Sequence, residues 1–236
     1  MELHRFFTDE ALTVGKNVDI SGDEAYHMTK VLRLKVGFTV IVCNGDDYDY
    51  YAKIVDINKD SVTLNVYDRV INETTPSVGV NLYQCITKAD KFAFIVQKAV
   101  ELGVRSITPV ISEYSNPNEL NSERLNRVAI EACKQCGASK ITTINAPVKL
   151  SEIEFKHPVY MGYEHEDKVS LADIEIKDKE IDLLIGSEGG FSEKEVEALR
   201  TKGVTTFSVG KRILRVETAT VSLIALTMYK MGGMRL

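Results

Sequence analysis

Between Phe38 and Val70 the apolar positions come in short alternating runs. Val40-Ile41-Val42-Cys43 leads into Asn44-Gly45, a pair that favours a tight hairpin turn. Tyr48 to Ile57 resumes a β-rich stretch, Asn58-Lys59-Asp60 turns the chain, and Val62, Leu64 and Val66 then alternate with polar residues. Ahead of these runs, Ser21 to Arg33 fits a short helix, with Ser21 as N-cap and Glu24 three residues on completing a capping box. The pattern predicts a small β-barrel-like domain with one helix over residues 1–72.

The polar segment Asn72-Glu73-Thr74-Thr75-Pro76-Ser77 reads as a linker, drawn at 73–78. Beyond it, in 79–236, strands and helices alternate. Strands are predicted at Val80–Ile86, Ser106–Ile111, Val159–Tyr163, Ile181–Ile185 and Val204–Val209. Helices are predicted at Asp90–Leu102 (stopped by Gly103), at Ser122–Cys136, from Ser192 to Gly203, and from Glu217 to Tyr229. Such alternation predicts an α/β domain with a mostly parallel sheet covered by helices.

Composition bounds this picture without sharpening it. The 236 residues are 44% hydrophobic and 27% charged, which is globular usage. No segment has the apolar length of a membrane span, and the N-terminal residues do not read as a secretory signal. The expectation is a cytoplasmic protein with no membrane partner. Cys43 and Cys85 sit in apolar runs, and Cys133 and Cys136 form a single C-x-x-C inside a helical pattern with no second ligand pair. Buried thiols are expected rather than a zinc or redox centre. The four histidines have no ligand spacing, so no metal is expected. The net charge of −5 does not announce a nucleic-acid binder, and neither does residues 1–72, with 8 Lys and Arg against 12 Asp and Glu.

Ligands of an open parallel sheet bind beyond the carboxyl ends of its strands, and three strand exits carry unusual residues. Ile181–Ile185 runs into Gly186-Ser187-Glu188-Gly189-Gly190-Phe191-Ser192, where Ser192 and Glu195 form a capping box. The glycines permit close backbone approach, and Glu188 can accept hydrogen bonds from a ligand. A tight strand-to-helix turn is the plain alternative. The run Val209-Gly210-Lys211-Arg212-Ile213-Leu214-Arg215-Val216-Glu217-Thr218-Ala219 follows the last strand. Arg215, between Leu214 and Val216, is expected to have a partly buried stem and a held guanidinium suited to a phosphate or a polarised carbonyl. Glu217 also suits a first helical turn for structural reasons alone. Lys88-Ala89-Asp90-Lys91, at the exit of the domain's first strand, offers two lysines to a polyanion or simply opens a solvated helix.

Taken in order, the motifs resemble those of the bacterial 16S ribosomal RNA uridine-N3 methyltransferases of the knotted SPOUT superfamily. They are His4-Arg5-Phe6-Phe7, His27 with Val31-Leu32-Arg33-Leu34, Lys88-Ala89-Asp90-Lys91, Gln97-Lys98-Ala99-Val100-Glu101-Leu102-Gly103-Val104, Ser112-Glu113-Tyr114-Ser115, Glu131-Ala132-Cys133-Lys134-Gln135-Cys136, Gly186 to Ser192 and Ile213 to Ala219. The chain departs from the family at Ser187, where proline is usual, at Ala138, where arginine is usual, and at Val216, where threonine is usual.

The resemblance implies a PUA-like RNA-binding β-barrel followed by a trefoil-knotted methyltransferase domain, a homodimer, S-adenosylmethionine as cofactor, and 16S ribosomal RNA of the small subunit as partner. It implies that Tyr163, Gly186, Glu188, Gly189, Gly190, Val209, Gly210, Ile213, Leu214 and Thr218 bind the cofactor. Arg215 is assigned to the uracil anion, and Glu217 to acting as base or orienting Arg215. Arg5, Lys30, Arg33, Lys88 and Lys91 are assigned to RNA, with Lys35 beside them. The rival readings are a non-catalytic RNA-binding assembly factor, methylation of a different base, and a nicotinamide enzyme. The last lacks its glycine fingerprint after Ile86.

Overall fold

The computed structural model describes residues 3–234, without the side chain of Glu119. The chain forms two compact units: Met1–Thr75 with Cys133–Ile141, and Pro76–Ala132 with Thr142–Leu236.

The first unit is a curled five-stranded sheet in the order β1-β3-β4-β5-β2, built from β1 (Arg5–Phe7), β2 (Asn17–Ser21), β3 (Thr39–Cys43), β4 (Tyr48–Ile57) and β5 (Ser61–Ile71). Only β1 and β3 pair in parallel. The alternation read from the sequence sets its inner face: Val40, Val42, Ala52, Ile54, Val62, Leu64 and Val66 are buried together with Phe6, Ile20 and Met28. β1 and β2 went unpredicted, because three and five residues carry too little periodicity to read.

The expected helix at Ser21–Arg33 is shorter and irregular. It comprises α1 (Gly22–Tyr26) and a π turn over His27–Val31. Ser21 makes no side-chain cap, so the capping box expected there is not formed. Glu24 instead reaches Lys134 Nζ at 2.7 Å. Within this unit, Asn72 Nδ2 donates to Asp49 Oδ1 and to the Gly137 carbonyl.

The second unit is a parallel sheet in the order β12-β10-β11-β6-β7-β8, with β9 also on β7. Its strands are β6 (Gly79–Cys85), β7 (Ser106–Ile111), β8 (Thr143–Ile144), β9 (Val148–Lys149), β10 (Val159–Gly162), β11 (Glu180–Ile185) and β12 (Thr205–Phe207). β11 lies between β6 and β10 and is buried over its last five residues, as a strand covered on both faces must be.

Four helices complete the unit: α2 (Ala89–Glu101), α3 (Ser122–Cys136), α4 (Glu193–Thr201) and α5 (Val216–Met231). α3 runs on into the first unit's segment. α2 buries Phe92, Ala93, Ile95, Val96, Ala99 and Val100, a stripe of helical period, and packs on α5. The capping box of α4 forms as predicted: Glu195 N–H donates to Ser192 Oγ and Ser192 N–H donates to Glu195 Oε2.

Cys43, Cys85 and Cys133 are buried and Cys136 is half-buried. Burial pushes the Cys43 and Cys85 thiols up to about 12, so both are inert at neutral pH. Among the described residues no cluster of His, Cys, Asp or Glu could hold a metal ion, and no helix is long and apolar enough to cross a membrane.

Candidate active site at the strand exits

The carboxyl ends of β12, β10, β11 and β6 lie side by side, and the chain leaving the first three encloses a cavity of about 420 Å³. That volume is in the range of small-molecule sites. Gly162 and Tyr163 line it from the β10 exit, Gly186, Ser187, Glu188 and Gly190 from the β11 exit, and Ser208 to Gly210 with Arg212 to Val216 from the β12 exit. Ala219 and Leu223 of α5 and Lys91 of α2 complete the wall.

The β11 exit turns sharply. Gly190 N–H donates to the Ser187 carbonyl at 3.1 Å, and Gly190 has φ +67°, the left-handed region. A Cβ on Gly186 would lie 3.1 Å from Gly190 Cα and 3.2 Å from the Phe191 ring, so only glycine fits the crossing without moving backbone. Ser187, which stands where proline was expected, is buried, and its hydroxyl donates to the Tyr114 carbonyl at 3.2 Å. That bond ties the loop down where proline would have fixed its φ.

Gln84, fully buried near the end of β6, holds the same loop from below. Its Nε2 donates to the Gly186 carbonyl at 2.9 Å and the Cys85 carbonyl at 3.1 Å, while its Oε1 accepts from Thr220 Oγ1 of α5 at 2.8 Å. One amide thereby links β6, the glycine loop and α5. The sequence reading missed it, because a glutamine in an apolar strand shows no partner until the fold supplies one; its only signal was a polar residue inside a buried run.

The β10 exit is anchored through Glu166. It accepts from Thr206 Oγ1, from Arg200 at 3.0 Å and from the Lys168 N–H at 3.0 Å. The Thr206 bond first, against burial, and the other donors hold its carboxyl below the usual range.

Lys91 Nζ stands 3.3 Å from Glu188 Oε1 and 3.7 Å from Glu217 Oε2. Burial pushes Glu188 up, but its own N–H, the Lys88 N–H and Lys91 outweigh that and keep the carboxyl below its ordinary value. Glu217 Oε2 is buried and accepts no hydrogen bond among the described residues.

Of the residues singled out in the sequence, the cavity brings together Lys91, Tyr163, Gly186, Glu188, Gly190, Val209, Gly210, Ile213, Leu214 and Arg215. Gly189, Thr218, Glu217 and Lys88 do not line it. Gly189 packs against Tyr114, Thr218 is exposed, and Lys88 meets Glu188 through its backbone. Arg215 differs from expectation. It is exposed, and its guanidinium joins no hydrogen bond or ion pair among the described residues. As the N-cap of α5 it has extended backbone (φ −64°, ψ 150°), and the next residue, Val216, is buried. Glu217 accordingly pairs with Lys91 rather than orienting Arg215. Besides Gln84, the lining residues that the sequence reading missed include Gly162, Glu164, Ala219 and Leu223.

In the first unit, Arg5 is not presented to solvent. Its side chain is 8% exposed, and both terminal nitrogens bond Asp49, at 2.5 and 2.7 Å. Lys30 and Arg33 are exposed.

A parallel sheet with a glycine-rich cavity at its strand exits defines a small-molecule-binding α/β domain, and its sequence places that domain among the RNA methyltransferases. The RNA methyltransferase domain matches residues 74–228, and the RNA methyltransferase PUA domain matches residues 20–67. The chain belongs to the ribosomal RNA small subunit methyltransferase E family. It is 30% identical over 250 residues to that enzyme of Buchnera aphidicola subsp. Schizaphis graminum, covering 98% of this chain and 97% of the relative. Over 232 residues it is 29% identical to that of Rickettsia conorii, covering 95% of each. The Neisseria gonorrhoeae enzyme of the same name, solved with S-adenosyl methionine bound, superposes with a TM-score of 0.89 at 27% identity, covering 97% of this chain and 98% of that one. A Legionella pneumophila methyltransferase in complex with the same cofactor gives 0.88 at 26% identity, with the same coverage.

Proposed function

We propose that the chain methylates N3 of a uridine in the 16S ribosomal RNA of the small subunit, using S-adenosylmethionine, as a cytoplasmic homodimer. The observation that carries this reading is the glycine-rich cavity at the strand exits of a chain of this family. Its residues fit the cofactor. Gly186 and Gly190 let the loop close tightly against Phe191 and Glu164, Leu214, Val216 and Leu223 offer apolar wall, and the Glu188 carboxylate suits a cationic ligand. Bound there, S-adenosylmethionine supplies an electrophilic methyl group on a sulfonium.

The chain's own residues then have three tasks. The cavity walls hold donor and base in line and exclude water. Arg215 and Lys91 bring cations to the uracil oxygens, where imide charge develops once N3 has given its proton to bulk solvent, and N3 then takes the methyl group from the sulfonium. Glu217 does not line the cavity and acts through Lys91, which it holds opposite Glu188. Lys30, Arg33 and Lys88 remain the RNA contacts of this reading; Arg5 is spent on Asp49. Leu226 and Tyr229, 44% and 73% exposed one turn apart on α5, give an apolar face for the second copy.

The test is incubation of purified protein with methyl-labelled S-adenosylmethionine and small subunits from cells lacking the modification, followed by digestion and mass spectrometry. The expected product is 3-methyluridine in 16S RNA. Label in another nucleoside overturns the substrate, and subunit binding without label favours the assembly-factor reading.

A further inference from the structure

The first unit carries a second cavity, of about 250 Å³, whose lining shares no residue with the methyl-transfer cavity. Tyr26, Thr29 and Lys30 line it on one side, and Asn58, Lys59 and Asp60 of the β4–β5 turn on the other.

Three observations converge on it. Tyr26 is 63% exposed at the wall, while Ala25 and Met28 beside it are buried, so the core is filled without it and the ring serves no packing purpose. Neither Lys30 nor Lys59 joins an ion pair among the described residues, unlike Arg5, Lys134 and Lys140 of the same unit. The backbone that carries Thr29 and Lys30 is also irregular. Leu32 N–H reaches back to the His27 carbonyl at 2.9 Å, closing a π turn. Arg33 follows at φ +54°, the only non-glycine residue with positive φ among those described. Such turns are rare and recur at functional sites.

We infer that this cavity binds one unpaired nucleotide of an RNA strand, its base stacked on Tyr26 and its flanking phosphates held by Lys30 and Lys59. The volume suits a nucleotide. An aromatic face beside cations is the set that recognises single-stranded RNA, whose unstacked bases lie flat on rings while phosphates take the charge. Asn58, whose amide donates to Asp56 at 3.2 Å, and Asp60 supply the polar groups of the opposite wall for the edge of the base. The stacking ring and charge complementarity favour RNA over an acidic peptide, which has charge but no face to stack. The inference rests on RNA being the substrate and adds a contact remote in sequence from the methyl-transfer cavity.

The experiment titrates a short fluorescein-labelled oligouridylate with the full chain by anisotropy at several salt concentrations. Tyr26→Ala is expected to weaken binding by about 5- to 100-fold, the worth of one base stack. Tyr26→Phe, which keeps the ring, stays near wild type. The Lys30→Ala, Lys59→Ala double variant is expected to lower the salt slope of log affinity by about 1.4, two single-strand phosphates' worth. Tyr26 is exposed, so its variants are expected to keep their circular dichroism and their S-adenosylmethionine affinity. Unchanged oligonucleotide affinity in Tyr26→Ala, or competition by polyglutamate as strong as by RNA, overturns the inference. So does a wild-type chain that methylates small subunits yet does not bind the oligonucleotide, and in that case the proposed function stands. A wild-type chain that neither methylates nor binds overturns both.

Discussion

Replacing Gln84 with leucine would test how the glycine loop is held in place. The side chains are close in volume, so packing is largely kept while the hydrogen bonds of the amide are lost. The Gly186 carbonyl, buried at the cavity floor, loses its amide donor, at a cost of about 1–3 kcal/mol for an unsatisfied buried acceptor. Thr220 Oγ1 keeps its bond to the Val216 carbonyl and loses only the one to Gln84, worth about 1 kcal/mol. The expected loss of stability is therefore about 2–4 kcal/mol, read as a lower urea midpoint at unchanged slope. Thr220→Val alone should cost about 1 kcal/mol, and the double variant should cost less than the two added, because both remove the same bond. Titration calorimetry should show S-adenosylmethionine binding weakened by about tenfold in Gln84→Leu, equivalent to 1.4 kcal/mol of lost loop order. A variant with wild-type midpoint and wild-type affinity would refute the idea that this amide sets the loop.

Other substitutions test other parts of the site and fold. Gly186→Ala places a methyl group against Gly190 Cα and the Phe191 ring; overpacking of about 1–3 kcal/mol and loss of cofactor binding are expected, measured by thermal unfolding and calorimetry. Lys91→Met should leave the circular dichroism unchanged and lower the methyl-transfer rate by about 10²–10³-fold; an unchanged rate removes Lys91 from the site. Arg5→Ala strands the buried Asp49 carboxylate and should destabilise the protein by about 3–5 kcal/mol in urea. Burial raises the Asp49 pKa, but the bonds from Arg5 and Asn72 and the charge of Arg5 outweigh it and hold the group below the carboxylate range. Its contribution is thus full above the unfolded value of about 3.9 and fades as pH falls through the lower folded value, so the stability gap between wild type and Asp49→Asn should close in acid.

By itself the sequence determined the pieces with strong local signals. Alternation at Val62, Leu64 and Val66 marked a strand, and the long apolar stripe of α2 marked a helix. Ser192 and Glu195 marked a helix start, and the glycines after Ile185 marked a place where backbone must come close. These depend on neighbours within one turn or one strand, so they survive without the fold. Only the tertiary structure decided the rest. It set the three-residue β1 against β3 across more than thirty positions of chain, and brought Gln84 to Gly186 and Thr220, residues far apart in sequence. It turned the Ser21–Glu24 pair away from capping, because Glu24 found Lys134 instead. It also withdrew Arg5 from solvent to neutralise Asp49, and left Arg215 exposed at the start of α5. In each case the side chain's role is fixed by a partner distant in sequence, and a charge's use depends on which opposite charge the fold delivers to it.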